Sequence, residues 1–352
     1  MAPRKPSRPV RIHLLVFPRS TPIVPVGLLD LLRKAGALAE AMGQPRAVEV
    51  ALVAAARRRR VRTAGGLELT CHHTLADAPR ADHVVVSPAD PEVLDEVSRE
   101  PATTRFLRRA HAAGATLASV CIGAFTLAQT GLLDGRPVAT HWAFQGQFRA
   151  RFPRVELRPQ EILVDAGRLL STGGATSFLN FALYLIERLH DAEVARAAAR
   201  MFLIDERKSP QGAYAIFAGQ KQHGDEAILR AQELLEHSVA DGLGVEAIAA
   251  RVAMARRTFI RRFKAATGTT PRDYQQRVRI EAAKRRLEAS RARVSEVASA
   301  VGYSDQVAFR RLFQRQTGLT PTEYRQRYGQ VASPLLATAP ASASSRRRRS
   351  TA

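Results

Sequence analysis

Cysteine is nearly missing from this chain. Cys71 and Cys121 are the only two in 352 residues, and they stand in unrelated settings. That excludes a disulfide-built scaffold and fits a reducing compartment. No run of about 18 uninterrupted apolar residues occurs, so nothing spans a bilayer as a helix. The opening "MAPRKPSRPV" is basic and proline-rich, with no apolar core of signal-peptide length behind it. The reading is a soluble, cytoplasmic protein with no membrane partner. Neither a phosphate-binding "GK[ST]" loop nor the dinucleotide glycine fingerprint is present. "CHH" at Cys71, His72 and His73 offers metal-type donors, but three consecutive residues rarely close on one ion and no second cluster has zinc spacing. No metal and no cofactor are expected. Negative charge is the last scarcity: 32 Asp+Glu stand against 54 Lys+Arg, a formal net of +22. That excess draws polyanions, of which nucleic acid and an anionic membrane surface are the two candidates.

What is there divides in two. Runs such as "VRIHLLVF", "VEVALVAAA", "DHVVVS", "GATLASV" and "EILVD" alternate with helical patterns such as "VGLLDLLRKAGALAEAM" and "RFLRRAHAAG". Strand and helix in turn imply a parallel sheet with helices on both faces, an α/β doubly wound domain over residues 10–206. Residues 207–224, "RKSPQGAYAIFAGQKQHG", carry no clear period and read as a linker. From 225 to 330 the pattern is helical throughout, and 20 Lys+Arg face 12 Asp+Glu there, a net of +8. Residues 1–9 and the low-complexity 331–352, with its Arg346–Arg349 run, read as disordered basic tails.

The helical part writes one short sentence twice. "FIRRFKAATGTTPRDY" begins at Phe259 and "FRRLFQRQTGLTPTEY" at Phe309, an offset of fifty, with eight of sixteen positions identical. Composition alone would give about one, so this is an internal duplication. Upstream of each copy lies a short apolar-periodic helix, "AIAARVAM" or "EVASAVGY". Short helix, turn, second helix is the helix-turn-helix plan, twice. Phe259 and Phe263, like Phe309 and Phe313, are four apart and face a core. The other faces carry Arg256, Arg257, Thr258, Arg261 and Arg262 in the first copy, and Gln306, Arg310 and Arg311 in the second. Arg and Gln read guanine and adenine edges in the major groove, and Arg also grips phosphate. Two such units could enter successive major grooves, roughly 34 Å apart, of double-stranded DNA.

On "RRTFIRRFKAATGTTPRDY", "RIEAAKRRLEAS" and "VSEVASAVGYSDQVAFRRLFQRQTGLTPTEYR", residues 225–330 resemble the AraC-type DNA-binding domain. The resemblance implies seven helices, two recognition helices and sequence-specific transcriptional control. Val307 and Ala308 depart from it, standing where that family usually has small polar and aromatic residues.

In "GATLASVCIGAFTLAQTGLLDGRPVATHW" an apolar strand runs into Cys121, then Gly123 and a helix. Such an elbow sets helix N-terminal amides beside the thiol, an arrangement that lowers its pKa. His141 follows twenty residues later as a candidate base or orienting partner, and both residues also read as ordinary buried side chains. Gly173 and Gly174 in "STGGATS" sit between a strand and a helix, either as an anion site at the helix start or as a tight turn near the Cys121 pocket. On "CIGAFTLAQTGLLDGRPVATHW" and "GRLLSTGGATSFLNFALYLIERL", residues 10–205 resemble the PfpI-like, class I glutamine-amidotransferase-like domain, and its fusion to an AraC-type domain resembles the GlxA family of regulators. The resemblance implies a flavodoxin-like α/β sandwich with Cys121 at a nucleophile elbow and His141 beside it. It departs in two places. Thiol enzymes of that superfamily usually keep an acidic side chain where Val24 aligns, and they tend to have a glycine pair where this chain has Ser87–Asp90, "SPAD". A cysteine and a histidine without positioned partners do not make an enzyme.

The expectation is therefore a non-enzymatic, sequence-specific DNA-binding regulator. Its α/β domain would sense a small-molecule effector in a pocket formed by Cys121, Ile122, Gly123, His141, Gly173 and Gly174, or would mediate homodimerisation, with the transcription machinery as a further partner. The alternative is a thiol-dependent amidase or hydrolase using Cys121, with an accessory DNA-binding domain.

Overall fold

The structure, a computed structural model, describes residues 8–44, 47–205, 210–217, 219, 221, 223–240 and 243–329. Apart from Arg8, Pro9 and the residues of the linker just given, the segments read as tails and linker lie outside these. Backbone contacts divide the chain into two compact units, with the main division between Ile216 and Phe217.

In chain order the first unit runs β1 (Val10–Val16), α1 (Ile23–Ala41), β2 (Val48–Ala54), β3 (Arg60–Arg62), β4 (Glu68–Thr70), β5 (His73–Thr74), β6 (His83–Val86), α2 (Leu94–Arg99), α3 (Pro101–Ala112), β7 (Thr116–Val120) and α4 (Gly123–Ala128). It continues β8 (Pro137–Val138), α5 (Gln145–Arg151), β9 (Glu156–Leu157), β10 (Leu163–Asp165), β11 (Leu169–Thr172), α6 (Phe178–Leu189), α7 (Ala192–Met201) and the short α8 (Gln211–Tyr214). Seven strands form one sheet in the order β10-β11-β7-β6-β1-β2-β5. Every pairing is parallel except β10 with β11. "EILVD" thus supplies an antiparallel edge, not a parallel strand. Only three residues separate it from β11, with Gly167 at φ 81°, and a parallel neighbour needs a crossover of a dozen residues or more.

From β1 to β2 the chain steps one way along the sheet, and from β6 to β7 it steps the other. Right-handed crossovers then set α1 on one face and α2 and α3 on the opposite one. The packing agrees: α1 lies against α6 and α7, whereas α4 lies against α2 and α3. Both faces are covered, which is why β1 and β6 are mostly apolar and almost wholly buried. The reversal puts the crevice at the carboxyl ends of the strands, the place where open α/β sheets bind ligands.

The second unit is all helix: α9 (Glu226–His237), α10 (Val245–Arg251), α11 (Arg256–Thr267), α12 (Pro271–Ala289), α13 (Val294–Ala300), α14 (Gln306–Thr317) and α15 (Pro321–Tyr328). The repeated words explain themselves here. Phe259, Phe263, Phe309 and Phe313 are fully buried. Gly268 and Gly318 take φ 73° and 77°, the left-handed turn that ends a helix and that glycine adopts without strain. Thr270 and Thr320 then accept from the backbone N–H of Asp273 and Glu323, capping α12 and α15, each with proline in its first turn. Tyr274 packs edge-on against Phe263 at 5.3 Å, and Tyr324 against Phe313 at 5.4 Å. Each tyrosine hydroxyl donates to a glutamate, Glu236 at 2.6 Å and Glu288 at 2.5 Å.

Helix α12 has no single buried stripe. At about 100° per residue, Tyr274 and Val278 face one side, and Ile280, Ala283 and Leu287 the other; all five are buried. The first pair joins the core of α9–α11, while α13 and α15 pack along the same helix. One helix serves two hydrophobic clusters.

Candidate ligand elbow and nucleic-acid interface

Cys121 sits between β7 and α4 at φ 59°, a conformation a side chain adopts only under strain. Its N–H donates to the Thr172 carbonyl at the end of β11 (3.1 Å), and its carbonyl accepts from the Thr140 hydroxyl (3.1 Å). Gly123 makes the turn possible: a Cβ there would stand 2.5 Å from the Val86 carbonyl oxygen and 3.2 Å from that of Ser87. The thiol differs from its expectation. Cys121 is only 7% exposed, and burial pushes its pKa up to about 12, against a smaller opposing effect of the Ile122 backbone hydrogen bond. Helix α4 has just six residues, too few to offset that desolvation.

The other elbow residues gather at the same strand ends. Ile122 and Gly123 are buried, and Gly173 directly follows Thr172. A Cβ on Gly174 would stand 3.8 Å from His141 Cδ2. His141 accepts from the Ala143 N–H through Nδ1 (3.1 Å), lies against the rings of Trp142 and Phe144, and is held below the usual histidine range by burial. With Nδ1 accepting, the ring proton resides on Nε2. Val24 is fully buried in the first turn of α1, so that position supplies no carboxylate. The Ser87–Asp90 loop is tied to the segment after β1: Thr21 N–H donates to the Pro88 carbonyl (3.0 Å), and Arg19 pairs with Asp90 at 2.9 Å and Glu92 at 2.7 Å.

Three polar atoms here went unnoticed in the sequence. Ser87 Oγ, Thr172 Oγ1 and Gln211 Oε1 are buried and lack a hydrogen-bond partner. Gln211, assigned by pattern to the linker, lies over Gly173, where an added Cβ would come within 2.2 Å of its Cδ. Its amide is fixed by donating to the Glu161 carbonyl (2.8 Å). No sequence signal marks it, because the contact is made across fifty residues. Among the described residues, no three His, Cys, Asp or Glu side chains converge as metal ligands.

In the helical unit the expected DNA-facing side chains of α11 and α14 are exposed, Thr258 partly so. They are not equivalent. Arg262 makes a bidentate pair with Asp225, its Nε at 3.1 Å and Nη2 at 2.8 Å and 2.9 Å. Asp225 is also the N-cap of α9, so Arg262 is engaged in holding the unit together. Arg256 pairs with Glu246 at 2.6 Å, both well exposed. Among the described residues Arg257, Arg261, Arg310 and Arg311 hold no intramolecular ion pair. A shallow concavity of about 740 Å³ on α11 is lined by Arg256, Arg257, Ile260, Arg261, Lys264 and Ala265.

Fold and sequence together define a two-part chain, a DJ-1/PfpI-like α/β domain followed by a helix-turn-helix domain. The DJ-1/PfpI family description matches residues 25–188, and the helix-turn-helix domain description matches residues 248–327. This combination matches GlxA/AraC-type regulators. The chain is 28% identical over 249 residues to the HTH-type transcriptional regulator GbdR of Pseudomonas aeruginosa, covering 70% of this chain and 66% of that one. It is 28% identical over 259 residues to the HTH-type transcriptional regulator GlxA of Rhizobium meliloti, 72% of this chain and 78% of that one. The chain is also similar to an isonitrile hydratase of Pseudomonas putida, 31% identical over 137 residues, 39% of this chain and 58% of that one. This chain thus spans about two thirds of the length of GbdR.

Proposed function

We propose that this chain is a sequence-specific, DNA-binding transcription regulator, working in the cytoplasm without enzymatic activity of its own. The duplicated unit carries the reading: two copies of one core, each presenting an outward arginine-bearing helix, α11 and α14. In this reading the two helices enter successive major grooves of one DNA face. Arg257, Arg261, Arg310, Arg311 and Gln306 reach bases or phosphates, and Arg256 joins them by exchanging Glu246 for a phosphate. The α/β unit serves as sensor. Its elbow gathers Cys121, Ile122, Gly123, Gly173, Gly174 and His141 around buried polar atoms of Ser87, Thr172 and Gln211, and unpaired buried polar atoms call for a ligand or water. A small-molecule effector bound there, or a homodimer contact of the same unit, biases how the DNA-binding unit meets its operator and the transcription machinery. A protonated, buried thiol and an apolar Val24 speak against the hydrolase alternative.

The test is footprinting of the purified protein on the DNA upstream of its own gene, with the Arg261→Ala/Arg311→Ala double variant as control. Two protected major grooves about one helical turn apart, lost in the variant, are expected. Featureless protection indifferent to sequence would reduce the interaction to charge. Deleting residues 1–206 should abolish any response to growth conditions; an unchanged response removes the sensor from the reading.

A further inference from the structure

One exposed side chain of α14 is large and apolar. Val307 is 58% exposed on α14. At about 100° per residue the outward stripe of this helix is Gln306, Arg310, Gln314, Val307 and Arg311, with Val307 near its middle. Phe309, Leu312 and Phe313 turn inward and are buried. A β-branched residue in an exposed first turn gives up rotamer freedom and gains no packing in return. Its backbone is nonetheless well fixed, because Asp305 Oδ1 accepts from the N–H of both Val307 (2.8 Å) and Ala308 (3.0 Å). An apolar side chain is thus held at a defined place among polar ones. At the matching place of α11, fifty residues earlier, stands Arg257.

Resting on the DNA-reading assignment above, we infer that the two helices read different chemistry and that Val307 contacts the C5-methyl group of a thymine beneath α14. Thymine alone offers an apolar group on the floor of the major groove. Gln306, next to Val307, has the amide fork that pairs with the N6 and N7 edge of adenine. The α11 stripe carries Arg256, Arg257, Arg261 and Lys264 around Ile260, four cations and no amide, a set suited to guanine and phosphate. The operator is therefore asymmetric, with a guanine-bearing half under α11 and an A·T-bearing half under α14.

The experiment starts from duplexes that the full-length protein selects out of random sequence. Each thymine is replaced in turn by deoxyuridine, which removes the methyl group and nothing else. One replacement in the α14 half should weaken binding about four-fold, the worth of one buried methyl. The same replacement should leave binding by a Val307→Ala protein, checked for unchanged helicity, where it was. If no thymine in a protected half-site is sensitive, or if Val307→Ala keeps the sensitivity, the methyl contact is wrong while the regulator reading stands. If selection enriches no sequence at all, both fall.

Discussion

Gly123→Ala tests the elbow geometry most directly. The added Cβ would stand 2.5 Å from the carbonyl oxygen of Val86 and 3.3 Å from the carbonyl carbon of Ser87. Both obstacles are backbone, on the end of a central strand, so no side chain can swing aside. Overpacking a filled core costs roughly 1–3 kcal/mol, and rigid obstacles put this case at about 3 kcal/mol. For a unit of this size, each kcal/mol moves the melting temperature by about 2–4 °C, so a fall of about 6–12 °C is expected. Gly36→Ala is the matched control. Gly36 lies within α1, and a Cβ there meets nothing within 4 Å. Alanine for glycine inside a helix is worth up to about 1 kcal/mol, so this variant should melt about 2–4 °C higher. Scanning calorimetry of the full chain reads both. A Gly123→Ala protein melting with the wild type would mean that the strand end and the elbow are not packed as described, and the account of Cys121 would go with it.

Three further outcomes follow from side chains placed above. At about pH 8 iodoacetamide should modify Cys121 in the folded chain at least roughly a hundred-fold more slowly than in guanidinium, because little thiolate exists when the pKa is so high; fast labelling of the folded protein would restore a reactive nucleophile. Arg262→Ala should lower the stability of the helical unit by roughly 1 kcal/mol, the worth of a partly exposed bidentate pair, without changing base preference, whereas Arg261→Ala should leave melting alone and weaken DNA binding by roughly 1–3 kcal/mol; the reverse pattern in paired melting and binding assays would exchange their roles. His13 is buried, and burial first, then the nearby His73 and Arg11, pushes its pKa down to about 4. Between that value and the ordinary 6.5 the unfolded chain takes up a proton that the folded chain refuses, so stability is lost as pH falls through this window, by roughly 2 kcal/mol near pH 4.5. Urea midpoints that stay flat from pH 7 to about pH 4.5, or a slope unchanged in His13→Leu, would contradict this.

Much of the plan was legible because it is written in local pattern. Alternating apolar runs announced the strands of the sheet, and the doubled sentence announced phenylalanines four apart facing a core, all four of them fully buried. What escaped reading was long-range. Whether "EILVD" pairs parallel or antiparallel depends on the short return to β11. Two stretches of the supposed linker are structured: Gln211–Tyr214 is helical, and Phe217 lies edge-on to Tyr274 at 5.0 Å while its N–H donates to Glu281 (3.3 Å). The expected low thiol pKa failed because an elbow motif states where the chain turns and says nothing of how deeply the turn is buried. On α11 the sequence offered a row of arginines as equals, and only the pairing of Arg262 with Asp225 separates a structural clamp from the outward ones.

The shared helix α12 has a consequence for how such an operator can change over time. Its 19 residues make a rod of about 28 Å, packed at one end into the first cluster and at the other into the second. Under the proposed reading this rod fixes the phase between two half-sites. One inserted base pair would shift the second half-site by about 3.4 Å and turn it by about 34° around the duplex, and a rod clamped on both sides cannot follow. Base substitutions in the operator would be tolerated in steps, while single-base insertions between the halves would silence it at once. Regulated promoters should then differ from one another in letters and agree in spacing.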